Sequence, residues 1–282
     1  MSSTGVAGQV VSATVVPIME MCGGYLGSGG LRAYGLQAGQ GTPLVLLASP
    51  LVRARTYIPT VRQLATYFDV TALELPGTGF SRSNAKRWEL SEYADWIAAW
   101  LRELYVERVV LVGHSNSGAI ALHVAAKYPE LLRGVVIADT VGTRQGCSAV
   151  EILGGRAVDS VLEPALTLRG WPDLLYNLVY HPRNFAHQVW LAVTADVRAV
   201  AERVRVPVLL AWGGSDHTVR LRDARELRSL LRECDLYVSD GSHDWLIVRA
   251  QEFAEVVSAW HEDRVSALSG GNVSRVQSGG RG

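Results

Sequence analysis

Three residues of this chain, taken in order, could together activate an oxygen nucleophile: Ser115, Asp216 and His243. Ser115 sits in Arg108-Val-Val-Leu-Val-Gly-His-Ser-Asn-Ser-Gly-Ala-Ile-Ala-Leu122. That stretch reads as a buried apolar strand from Val109 to Val112, then a tight turn from Gly113 to Gly118. A helix follows from about Asn116 to Tyr128, and Pro129 stops it. A serine on a strained strand-to-helix turn points its hydroxyl outward at the top of a parallel sheet. The N–H of the next residue, Asn116, opens a helix and aims at the same spot, so it can serve as half of an oxyanion hole. A serine hydroxyl needs a base to attack at neutral pH, and a histidine base needs a carboxylate to fix its tautomer. Asp216 and His243 each follow a predicted strand. Ligands bind outside the carboxyl ends of strands in such sheets, so all three side chains can converge there.

The elements that must position them follow from periodicity. Val10 to Ile18 and Leu31 to Gln37 read as strands of an antiparallel opening. Pro43 to Ala48 is a continuous apolar run, as expected of a strand buried on both faces. A helix over about Tyr57–Tyr67 and a strand over Phe68–Leu75 come next. Ser91 is expected to cap a helix whose Tyr93, Trp96, Ile97, Trp100, Leu101 and Leu104 share one face. Gly134–Ala138, Pro207–Trp212 and Leu236–Ser239 complete the strands, with helices over about Leu221–Arg232 and Ala250–His261. Strands alternating with helices imply a doubly wound, mostly parallel α/β sheet. Between Gly142 and Val204 the rhythm breaks into short helices that carry Trp171, Tyr176, Tyr180, Phe185 and Trp190, as expected of a lid over a pocket. The division is therefore a core of residues 1–141 and 205–264, a helical lid of 142–204, and a Gly/Ser-rich tail of 265–282.

Composition excludes several function classes. Lys+Arg and Asp+Glu are both 27, so formal charge is zero and nothing is basic enough for nucleic acid or an anionic membrane. Cys22, Cys147 and Cys234 are scattered, without metal or disulfide spacing, which suits free thiols in a cytoplasmic protein. The histidines show no metal-ligand grouping. His114 is expected to point away from the Ser115 hydroxyl into packing. No membrane span or secretory signal is evident in the sequence.

Five stretches now carry a resemblance: Pro43–Ala48, Pro76-Gly-Thr-Gly-Phe-Ser81, Gly113-His-Ser-Asn-Ser117, Trp212-Gly-Gly-Ser-Asp216 and Gly241-Ser-His243. In this order they resemble the α/β-hydrolase superfamily over about residues 30–262. The resemblance implies an eight-stranded sheet and a Ser115–His243–Asp216 triad under a helical lid. It also implies action on esters, thioesters, lactones or related acyl compounds without a cofactor. Asp139, where some members place the acid, and Asp244 compete with Asp216, which holds the commoner place.

Two departures stand out. The elbow has Ser117 where the family usually has glycine. The expected His-Gly after the third strand is replaced by Ala48-Ser49-Pro50-Leu51. Pro50 has no N–H to donate, so Leu51 N–H is the candidate second oxyanion donor, with Ser49 as the weaker alternative. Arg53 and Arg55, in the same loop, would either grip an anionic substrate or remain solvated. Trp171, Tyr176, Trp190 and Trp245 are further candidates for substrate contact.

A serine at the elbow argues against epoxide hydrolases and haloalkane dehalogenases, which resemble this fold but use aspartate there. The leading expectation is a serine hydrolase of the carboxylic-ester class, acting on a small acyl substrate. A C–C bond hydrolase, cyclase or acyltransferase using the same triad is one alternative, and a non-catalytic small-molecule binder is another. Monomer and homodimer both remain open.

Overall fold

The computed structural model describes residues 20–81, 87–143 and 149–266. The expected strand at Val10–Ile18, Cys147 and most of the tail lie outside them. Eight strands form one sheet: β1 (Cys22–Leu26), β2 (Ala33–Ala38), β3 (Pro43–Leu47), β4 (Asp69–Leu73), β5 (Val109–His114), β6 (Leu132–Ala138), β7 (Val208–Gly213) and β8 (Cys234–Ser239). Their order is β1-β2-β4-β3-β5-β6-β7-β8. The β1–β2 and β2–β4 pairs are antiparallel and every later pair is parallel. The expected mostly parallel, doubly wound sheet is therefore present. The carboxyl ends of β5, β7 and β8 share one edge, where the three chemistry-bearing residues emerge.

Helices cover both faces: α1 (Ile58–Leu64), α2 (Leu90–Leu104), α3 (Asn116–Lys127), α8 (Leu221–Leu230), α9 (Trp245–Val248) and α10 (Ala250–Trp260). Between β6 and β7 lie α4 (Ala149–Leu162), α5 (Pro164–Tyr180), α6 (Pro182–Thr194) and α7 (Arg198–Ala201). The central strands β3, β5 and β7 are almost wholly buried, because parallel strands covered on both faces need apolar side chains on each. One apolar cluster, containing Leu111, Ile120, Trp100 and Trp212, fills the α2/α3/α8 side. The other, with Leu46, Val112, Trp245 and Phe253, fills the α1/α10 side.

The α2 helix shows how the sequence specifies one layer. Tyr93, Ile97, Trp100 and Leu101 recur on one face and are buried, each removing enough apolar area to contribute roughly 1.5–3 kcal/mol. Its start differs from the expectation. The N-cap is Glu89 and not Ser91, because the Glu92 carboxylate accepts the Glu89 N–H at 2.8 Å in a reciprocal capping box.

The helical excursion is also not uniform. The N–H of Val197 closes it by donating to Gly142 O at 2.9 Å. Val197, Val200, Ala201 and Val204 then join the core cluster beside α3. The elements that stand over the strand ends are α4, α5 and α6. Among the described residues, no helix is long and apolar enough to cross a membrane.

Candidate active site

The turn after β5 is tight for identifiable reasons. Ser115 has φ 57° and ψ −124°, a region that L-residues rarely enter. It is held there by its N–H on Ala138 O (3.0 Å) and by its carbonyl, which accepts from Gly118 N–H (2.9 Å). The Thr140 hydroxyl also donates to that carbonyl (3.0 Å). A Cβ at Gly113 would collide with the Ser117 carbonyl, and one at Gly118 would stand 2.6 Å from the Thr140 side chain. Glycine is required at both for close approach. Ser117 fits because its own hydroxyl is used: it donates to Ala48 O at 2.8 Å, tying the elbow to the end of β3.

His243 reaches this serine from the loop after β8. Its Nε2 is 3.2 Å from Ser115 Oγ, and its Nδ1 is 2.8 Å from Asp216 Oδ2. A hydrogen on Nδ1 satisfies both contacts, leaving Nε2 bare to accept from the serine hydroxyl. The second oxygen of Asp216 accepts Val219 N–H at 2.7 Å. Burial works against a charged imidazolium at His243, but the Asp216 carboxylate outweighs it and holds the pKa above the ordinary histidine value. The geometry therefore brings together serine, bare imidazole nitrogen and carboxylate.

The competing carboxylates are engaged otherwise than on His243 Nδ1. Asp139 accepts Gly213 N–H at 2.8 Å. Asp244 pairs with Arg156 of α4 at 2.5 Å, and that cation holds its carboxyl below the usual range against the opposing effect of burial.

A cavity of about 370 Å³ opens above Ser115. Ser49, Leu51, Asn116 and His243 form part of its floor, and Ile152, Trp171, Leu174 and Phe185 of the helical excursion form part of its roof. The Ser49 N–H donates to the Tyr57 hydroxyl at 3.2 Å. The Leu51 N–H meets no acceptor among the described residues. Asn116 N–H lies in the first turn of α3, where a helix leaves its amides unpaired.

Trp171 lines the cavity; Arg53, Arg55, Tyr176, Trp190 and Trp245 are not among its lining residues. Arg53 is buried, with its guanidinium over the rings of Phe80 (3.8 Å) and Tyr176 (4.7 Å) and 3.6 Å from Glu74. Arg55 pairs with Asp173 of α5. These two arginines thus join the loop after β3 to its surroundings, and neither points a free charge at a ligand. Trp190 stacks on His187, and Trp245 packs beneath the loop against Phe253 and Tyr237.

Several site residues carry no sequence signal of their own. Tyr57 is one. Its hydroxyl meets His114 Nδ1 at 2.7 Å, and His114 Nε2 meets the carbonyl of His243 at 3.0 Å. Burial pushes the His114 pKa down to about 3, so it is a neutral strut with its hydrogen on Nε2. The helices over the site are fastened in a similar way. Asp159 of α4 accepts from the His217 and Thr218 N–H groups (3.2 and 3.0 Å) and from the Thr218 hydroxyl (2.7 Å). Asn177 of α5 accepts Gly79 N–H and donates to Val52 O. Gln188 O of α6 accepts from the Asn116 side chain at 2.7 Å. The one visible hint was the i, i+3 spacing of Arg156 and Asp159, which places both on one helical face.

Comparison with known proteins agrees with this architecture. A family model described as "Alpha/beta hydrolase family" matches residues 41–256. The pimeloyl-[acyl-carrier protein] methyl ester esterase of Chromobacterium violaceum is 27% identical over 244 residues, covering 78% of this chain and 94% of that protein. Among solved structures, the enol-lactonase from Burkholderia xenovorans superposes with a TM-score of 0.66 at 20% identity, covering 88% of this chain and 99% of that one. The meta-cleavage product hydrolase from Pseudomonas fluorescens gives 0.65 at 22%, covering 82% and 94%. At such identities the structural likeness speaks to the fold alone, whereas the family model spans most of the chain. The chain belongs to the alpha/beta hydrolase family and is a hydrolase.

Proposed function

We propose that the protein is a serine hydrolase that cleaves a carboxylic ester, thioester or lactone through an acyl-enzyme on Ser115. The observation that carries this reading is the unbroken line Ser115 Oγ, His243 and Asp216 at the floor of a closed-over cavity. Ser115 Oγ attacks the substrate carbonyl as His243 Nε2 takes its proton, and Asp216 stabilises the imidazolium that forms. The carbonyl oxygen, now negative, accepts from the N–H groups of Asn116 and Leu51. Collapse breaks the acyl–O or acyl–S bond, and His243 returns the proton to the leaving alcohol or thiol. Water, deprotonated by the same nitrogen, then attacks the acyl-enzyme and frees the acid.

The cavity also bears on substrate class. Its wall is largely aliphatic and aromatic, and the cation among its described lining residues, Arg156, is already matched by Asp244. That composition favours an uncharged, apolar acyl group over an anionic one, because a carboxylate would have to compete with Asp244 for the guanidinium.

Two measurements test the reading. A fluorophosphonate should label Ser115, and p-nitrophenyl butyrate should give a burst followed by turnover, with both lost in S115A. Labelling without turnover on simple esters would redirect the assignment to C–C hydrolysis or acyl transfer by the same triad. Absence of both labelling and turnover would leave a binding protein.

A further inference from the structure

Asp139 is a buried carboxyl that this chemistry leaves unused. It directly follows β6, has φ 45°, and is fully buried. A non-glycine residue in that conformation is held by its surroundings. Its N–H donates to Ala211 O at 3.3 Å, and its Oδ1 accepts Gly213 N–H at 2.8 Å, so it grips both sides of the β7 end from which Asp216 emerges. Its Oδ2 meets no donor among the described residues. What it faces is the carboxyl of Asp216. Two buried carboxylates in contact repel unless one carries a hydrogen between them.

Counting donors decides which one carries it. Asp216 already accepts Val219 N–H on Oδ1 and His243 Nδ1–H on Oδ2. Asp139 accepts only one peptide N–H. The better-solvated charge is the one on Asp216. We infer that Asp139 is a positioning residue held as a neutral carboxylic acid, donating its Oδ2–H to Asp216. The inference rests on the reading of Asp216 as the partner of His243. Burial first, and then the neighbouring Asp216 charge, push the Asp139 carboxyl well above the ordinary range, in the same direction. The bond adds a third donor to Asp216, fixes its carboxylate plane, and spreads the charge that His243 feels. The other charged or titratable groups acting here are Asp244 on Asp139, and Asp244, Arg156 and His114 around His243.

The test compares D139N, which keeps a donor and an acceptor but cannot ionise, with D139A, which keeps neither. A neutral Asp139 predicts that D139N holds kcat/KM within about threefold and leaves the acid limb of its pH profile in place. D139A should lose about 10- to 100-fold, the usual contribution of a hydrogen bond to a charged group. Its acid limb should move to higher pH, because Asp216 without that donor holds the imidazolium more tightly. Infrared difference spectra in H2O and D2O should show a protonated-carboxyl carbonyl band that D139N removes. That readout needs no turnover, so it survives a failure of the esterase reading, which fluorophosphonate labelling of Ser115 scores separately. If D139A fails to fold, the D139N profile and the infrared band still decide. An absent band, or an acid limb in D139N that moves to lower pH as a lost negative charge requires, overturns the inference. So does an unmoved limb and undiminished rate in folded D139A.

Discussion

The sheet beneath the site and the helices above it are held by different forces. Below, β3, β5, β7, α2 and α3 interlock through fully buried Leu47, Leu111, Ile120, Trp100 and Trp212. Above, α4 and α5 dock through polar side chains: Asp159 on the loop after Asp216, Arg156 on Asp244, Asp173 on Arg55 and Thr56, and Asn177 on Gly79 and Val52; α6 combines both, with Asn184 on Gly77, Gln188 on Tyr93 and Leu191 in the apolar cluster. Several of their apolar residues face outward, among them Val161, Val179 and Tyr180, which are 77%, 60% and 67% exposed. Apolar packing is non-directional and tolerates repacking, whereas hydrogen-bonded docking is specific in geometry. The roof is therefore attached at the very loops that carry Asp216 and His243, so its seating and the alignment of these two side chains with Ser115 are one mechanical problem.

The contrast can be broken most severely at the floor. S115A should lower kcat by roughly 10⁵–10⁶-fold, as loss of a triad nucleophile does, with its melting temperature close to that of the parent. D216N should cost about 10⁴-fold and should also move the acid limb of kcat/KM. On the proposed mechanism activity needs neutral His243, so the wild-type enzyme should lose activity as pH falls through a pKa held above the ordinary histidine value. Without the Asp216 charge, burial dominates and the limb shifts to lower pH.

The two layers separate more finely in a matched pair. L111A should lose about 2–5 kcal/mol of stability while the folded fraction keeps its kcat. D159A should lose only ~1–3 kcal/mol yet reduce kcat/KM about tenfold, because His217 and Thr218 then release the acid loop. Denaturant melts beside steady-state kinetics read both; equal kinetic losses in the two variants would erase the distinction. The smallest expected effect is at the rim. W171A should raise KM severalfold for longer acyl esters and leave kcat alone, in keeping with its place on the cavity wall.

The sequence alone determined the sheet from β2 to β8, the elbow and the order of Ser115, Asp216 and His243. Each is a local signal: apolar runs for β3, β5 and β7, glycines that a close turn demands at Gly113 and Gly118, and loops ending strands of one parallel sheet. The strand β1 (Cys22–Leu26), whose Cys-Gly-Gly start shows neither an apolar run nor alternation, is not legible in the sequence. Composition could not tell a cavity-lining aromatic such as Trp171 from Tyr176 and Trp190, which pack against other rings, because all three lie on amphipathic helices of similar pattern.

Only the tertiary structure decided that Arg53 and Arg55 pair with neighbours and do not line the cavity, that Tyr57 and His114 brace the His243 carbonyl, and that Asp139 abuts Asp216. These contacts join residues far apart in sequence, 118 positions for Arg55 and Asp173 and 129 for His114 and His243. Their partners are chosen by chain topology and by the need of each buried polar atom for a neighbour, and neither is written in the spacing of nearby residues.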